Sequence, residues 1–280
     1  MKYGIQYCIG INKMKIVDFI GSPCVGKTTL YNELLSGKSR KNLWVTPKEA
    51  KIRFAKSEIS SKIYQKLFLK DIYKAFLLYS NIYKISTPDL PDIILQNSKH
   101  EVLNTHVTDV EKLVSAVIKS ISQDEINVLR KLYGIKVFNS YLLDFLFLKS
   151  NESNNLVIFE ESLSHRVLSI VEYHKKFDEF VKSYGNYMPK PDLLVHLYAS
   201  EETIFKRMVF RINKTRKTNL LLGYKNWDND LLRKMIRSKI RQSAILVDIL
   251  EKRGVTVLKL DMEEDIKKNA NQIIENIISL

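Results

Sequence analysis

Gly21, Ser22, Pro23, Cys24, Val25, Gly26, Lys27 and Thr28 fit the spacing G-x-x-x-x-G-K-[ST] without gap or substitution, and no other stretch constrains the fold as strongly. Backbone N–H groups that converge on a phosphate need glycines for close approach and unusual backbone angles, and a following helix turns its positive end toward the same anion. The context agrees. An apolar run from Lys15 to Ile20 precedes the loop as a strand, and Thr28 to Leu35 reads as a helix. In that setting Lys27 reaches the β- and γ-phosphates of a nucleotide and Thr28 ligates magnesium. Every residue from Gly21 to Thr29 is a candidate nucleotide-binding position.

The chain has 280 residues, 45% of them hydrophobic, enough to fill one large core or two small ones. Its two cysteines, Cys8 and Cys24, form no disulfide framework and no metal-binding spacing, which fits a reducing, cytoplasmic setting. No apolar run approaches the ~20 residues of a membrane span, and residues 1–13 lack the apolar core of a secretory signal. Because Met14 directly precedes the first strand, residues 1–13 read as an N-terminal extension. The net charge of +14 favours anionic partners, although a surface of solvated lysines accounts for the excess equally well.

Asn42 to Thr46 reads as a second strand stopped by Pro47. From about residue 48 to 150 strand character is scarce. Leu67 to Tyr83 is helical in pattern, Thr87 to Pro91 breaks it, and Val110, Leu113, Val114, Val117, Ile118 and Ile121 mark an amphipathic helix. This whole stretch is expected to be a helical insertion. Asn155 to Phe159 is the third strand, with Ser162 placed to cap the helix that follows. Leu193 to Tyr198 is the fourth strand and leads into a helix from Ser200. A long helix from about Asp228 to Arg253, a fifth strand from Val255 to Leu260 and a terminal helix complete the pattern. Strands separated by helices imply an α/β fold with a parallel sheet covered on both faces and ligands at the carboxyl ends of its strands.

Phosphoryl transfer asks for positioning, magnesium and positive charge on the transferred group. Glu160, at the tip of the third strand, is the natural acidic group for magnesium. Glu161 is the alternative, or a general base, and either acid could instead simply begin a helix. Arg207 and Arg211 share a helix face and Arg216 follows in the loop, so a lid over the triphosphate at about 207–226 competes with a solvated basic face. Arg233, Arg237 and Arg241 read as a solvated face. His100, His106, His165, His174 and His196 show no ligand pairing. Asp18, inside the first strand, needs a partner if it is buried, and oxidation of Cys24 would obstruct the loop.

Together GSPCVGKTTL at 21–30, VIFEESLSHR at 157–166 and PDLLVHLYASEETIFKRMVFR at 191–211 resemble the P-loop kinases of the thymidylate kinase and deoxynucleoside kinase group. The resemblance implies the P-loop NTPase fold with a five-stranded parallel sheet in the order 2-3-1-4-5. It also implies an acceptor pocket in the insertion at about 48–150 and a kinase domain over 14–280. ATP and magnesium are the expected cofactors, and a nucleoside, nucleotide or other hydroxyl-bearing metabolite is the expected phosphate acceptor. The group's strand-three motif usually carries arginine in its middle position, where this chain has Glu161. Its strand two usually ends in glutamate before proline, where this chain has Thr46 before Pro47. A motor or regulatory ATPase is the rival enzyme reading. A nucleic-acid-binding nucleotide switch is the rival from another class, although no recognised nucleic-acid-binding module is present. A GTPase is disfavoured because Asn213, Lys214, Thr215 and Arg216 lack the aspartate of the guanine-reading pattern.

Overall fold

A computed structural model describes residues 13–37, 43–54, 107–122, 128–151, 153, 155–170, 177–214 and 228–280. The helical pattern at Leu67 to Tyr83, the break at Thr87 to Pro91, Arg216 and the lid beyond Lys214 lie outside these residues, as does nearly all of the N-terminal extension.

Four parallel strands form one sheet: β1 (Lys15–Ile20), β2 (Leu156–Phe159), β3 (Leu193–Tyr198) and β4 (Thr256–Asp261), in the order β2-β1-β3-β4. Ile16 pairs with Val157, Val17 with Leu193 and Leu194 with Val257. Parallel strands require crossovers, and helices supply them. Alternate residues divide the core. Ile16, Ile20, Val157, Phe159 and Leu194 face one side, packed by α2 (Val107–Ser122), α3 (Val128–Ser150), α4 (Leu163–Ile170), α5 (Phe177–Tyr187) and the second half of α7 (Asn229–Lys252). Val17, Phe19, Ile158, Val195 and Leu197 face the other, packed by α1 (Lys27–Ser36), α6 (Glu201–Lys214), α8 (Ile266–Ile278) and the start of α7. Among the described residues no helix is long and apolar enough to cross a membrane.

Among the described residues the expected five-stranded sheet has four strands. Of the described residues of the predicted second strand only Val45 pairs, as an isolated parallel bridge to Val157 on the outer edge of β2. The reason is a helix start hidden in the same residues. Thr46 Oγ1 accepts from the Glu49 N–H at 3.2 Å, and Glu49 Oε2 accepts from the Thr46 N–H at 2.9 Å. This is a reciprocal capping box with Pro47 at the first helical position. The helix over 47–54 therefore begins where a strand would have continued.

Ser162 does not cap α4 through its side chain, since its buried Oγ has no partner among the described residues. Of the helix that follows it, α4 and α5 are described, and residues 171–176 between them lie outside the described residues. The Arg233, Arg237 and Arg241 series is not a bare solvated face either. Arg233 pairs with Glu202 at 2.7 Å and lies 4.0 Å from the centre of the Phe205 ring, Arg237 pairs with Glu201 at 2.8 Å, and Arg241 pairs with Asp178. These contacts dock α7 onto α6 and α5.

Asp192 shows what the Pro-Asp start of β3 does. Its N–H donates to the Ile16 carbonyl at 2.8 Å, while its Oδ2 accepts from the Ile16 N–H at 2.7 Å and from Lys149 Nζ at 2.6 Å. One residue thus fixes the register of β1 against β3 and ties α3 to both. Removing a carboxylate that satisfies a sheet N–H and a half-buried ammonium costs about 1–3 kcal/mol. Asp192→Ala is therefore expected to lower the urea midpoint without changing the slope of the unfolding curve.

Candidate nucleotide site

The loop between β1 and α1 is shaped by two glycines for different reasons. At Gly21 an added Cβ would lie 2.5 Å from the Leu197 carbonyl oxygen, so β3 backbone occupies the space a side chain would need. At Gly26 the backbone is left-handed, with φ 119°, and Met262 Cε closes over it. Cys24 also has positive φ, 63°. Together these angles fold the loop back over the start of α1.

Lys27 is buried, with its ammonium donating to the carbonyls of Gly21 at 3.0 Å and Ser22 at 3.2 Å. Loss of hydration pushes its pKa down to about 8, against the attraction of Glu161 and Glu160. Thr28 Oγ1 donates to Glu160 Oε1 at 2.5 Å, joining the first turn of α1 to the end of β2. The strand-tip acid and the loop hydroxyl, 132 positions apart in the sequence, thus meet as two oxygen donors.

Glu161 points elsewhere. It accepts from Arg166 Nη2 at 2.8 Å and lies 3.2 Å from His165 Nε2. Burial holds the His165 pKa well below the ordinary histidine value, so the ring is neutral. Arg166 lies over the Tyr141 ring, 4.2 Å from its centre, and Nη2 also donates to Tyr141 Oη at 3.2 Å. Neither Arg166 nor Tyr141 was singled out from the sequence.

From the opposite face of the sheet α6 brings two arginines. Arg207 donates from Nη1 to the Val25 carbonyl at 2.7 Å and from Nη2 to the Met262 carbonyl at 2.8 Å, clamping the loop to the turn after β4. Arg211, exposed, hydrogen-bonds the side chain of Cys24. Burial raises the Cys24 pKa in spite of this neighbour. Lys27, Glu160, Glu161, Arg207 and Arg211 therefore gather around one loop, whereas Arg216 lies outside the described residues.

Asp18 is fully buried on β1 and accepts the Ser164 N–H at 3.1 Å, doing for the start of α4 what the Ser162 side chain does not.

No protein-family model matches the chain, and no curated protein sequence matches it. Two solved structures of deoxyadenosine kinase from M. mycoides are similar to it. The one with bound dCTP has 11% identity and a TM-score of 0.41. The one with the products dCMP and a flexible dCDP has 13% identity and a TM-score of 0.44. Each comparison covers 95% of this chain and 100% of the other.

Burial raises the pKa of Asp18 to about 7, from an ordinary 3.8. The unfolded chain gives up this proton first, so between these values the native state binds more protons and stability falls as pH rises. The penalty is complete above the folded pKa. Asp18→Asn keeps an acceptor for Ser164 and cannot ionise. Thermal melts should show it more stable than the wild type at about pH 8, with the gap closing toward about pH 4.

Proposed function

We propose that this chain is an ATP-dependent small-molecule kinase that uses magnesium and transfers the γ-phosphoryl group to a nucleoside, a nucleotide or another hydroxyl-bearing metabolite. The observation that carries the reading is the Thr28–Glu160 contact, which sets an acid at the carboxyl end of the sheet beside the glycine loop and Lys27. The motif resemblance to deoxynucleoside and thymidylate kinases supplies the reaction class.

Gly21 to Thr29 cradle the triphosphate, with Lys27 on the β- and γ-phosphates. Thr28 and Glu160 suit magnesium because both offer oxygen, the ligand atom that cation requires while it keeps several waters. When bound, the ion neutralises phosphate charge. Arg211 and Arg216 complete the cage from the lid at about 207–226, and Arg207 holds the loop in shape. The acceptor hydroxyl oxygen bonds to the γ-phosphorus as the bridging oxygen leaves with ADP, and the hydroxyl proton passes to water or to a carboxylate at the site. Residues 14–280 form the kinase domain, and the insertion at about 48–150 builds the acceptor pocket.

The motor or regulatory ATPase reading rests on Glu160 and Glu161 after an apolar strand, an acidic metal site with an adjacent water-activating glutamate. Glu161 is instead paired with Arg166 and lies beside His165, which weighs against a water-activating role for it.

A coupled ADP-release screen over nucleosides, nucleoside monophosphates and sugars tests the reading. Turnover that depends on one acceptor class is expected, with Lys27→Ala reducing it below detection while its melting curve stays cooperative. Transfer retained in Lys27→Ala, or brisk hydrolysis indifferent to any acceptor, would overturn it. In the same assay Glu160→Gln should need more magnesium for half-maximal rate than the wild type.

A further inference from the structure

We infer that Arg166 is a second guanidinium contact for the terminal phosphate of the bound nucleotide, reaching it from the face of the sheet opposite Arg207 and Arg211. The inference rests on the nucleotide site of the proposed function and adds a residue to it. Arg166 belongs to α4, whose Leu163 and Val167 pack on one face of the sheet, whereas Ile204 and Met208 of α6 pack on the other. The two sets of arginines flank the loop from both sides.

The Arg166 guanidinium is held before any ligand arrives. Glu161 Oε2 and Tyr141 Oη both accept from Nη2, and the Tyr141 ring backs the guanidinium. A planar fork fixed in this way loses little freedom on meeting an anion. Its Nε is buried without a partner among the described residues, and a buried donor left unpaired is costly unless an acceptor is supplied. The Arg166 charge acts on Lys27 and helps depress its pKa, so two cations are confined beside one loop. Glu161 compensates part of that charge and is already shared between Arg166 and His165. A γ-phosphate above Lys27 would answer both cations at once, and ADP, lacking it, would not.

Calorimetric titration of the full chain with magnesium-ATP and magnesium-ADP separates this role from a structural one. The wild type is expected to prefer ATP. Arg166→Ala should lose about tenfold or more in ATP affinity with ADP affinity nearly unchanged. Millimolar methylguanidinium should restore part of the ATP preference in Arg166→Ala and none in Lys27→Ala. Arg166→Gln, which can still bond Glu161 and Tyr141, should lose the preference as well, and it decides the matter if Arg166→Ala does not fold. Equal losses for both nucleotides, or none, would overturn the assignment. An Arg166-dependent ATP preference in a chain that phosphorylates nothing would sink the kinase reading alone. Acceptor phosphorylation with the preference intact in Arg166→Gln would sink the Arg166 assignment alone, and a wild type that binds no ATP would sink both.

Discussion

Burying the Lys27 ammonium sets the terms for everything around it. An amine stripped of water needs acceptors, and the nearest are the carbonyls of its own loop, Gly21 and Ser22. A trans peptide sends its C=O and the following N–H in opposite directions. The Gly21 carbonyl fixed on the ammonium therefore aims the Ser22 N–H away from it, while Pro23 after Ser22 has no N–H to aim. Arg207 does the same at Val25, whose carbonyl it holds, so the Gly26 N–H turns from Arg207. Cations thus grip the carbonyl side of the loop, and the glycines make that curvature sterically possible.

Charge is then distributed by the two faces of the sheet. On the α6 face Arg207 and Arg211 meet carbonyls and a thiol. On the α4 face Arg166 and neutral His165 share Glu161, and Asp18 takes an N–H at the start of α4. The buried carboxylate on β1 is thus used to seat the helix that carries Arg166. The exposed basic series on α7 is neutralised by acids in the first turn of α6 and on α5, so those three arginines join elements together.

Much of this was legible in the chain. The first and fourth predicted strands match to the residue because continuous apolar runs bounded by turn residues admit little else. The second strand was misread because Leu43, Trp44 and Val45 are apolar, while the competing message, Thr46 and Glu49 around Pro47, is a helix start that consumes the chain after one bridge. Serine before a helix is commonly a cap, yet the carboxylate that takes the amide of Ser164 comes from 146 positions earlier. No local pattern encodes that pairing. It arises only when β1 lies beside β2 and α4 folds back over both. Arg166 was passed over for the same reason, because its partner Tyr141 sits on a different helix.

The division of labour between Glu160 and Glu161, by contrast, could have been read from period-two geometry alone. Along β2, Val157 and Phe159 face the α4 side of the sheet and Leu156 and Ile158 the α1 side. Side chains keep alternating as the strand runs out. Glu160 must then fall toward α1, where Thr28 waits, and Glu161 toward α4, where His165 and Arg166 stand. Adjacent acids with the same chemistry thus acquire different tasks from pleat alone. The acid beside the loop hydroxyl closes onto the first turn of α1, and its neighbour becomes the anchor of a guanidinium. Exchanging the order of inward and outward residues on β2 would exchange those tasks without altering a single functional group.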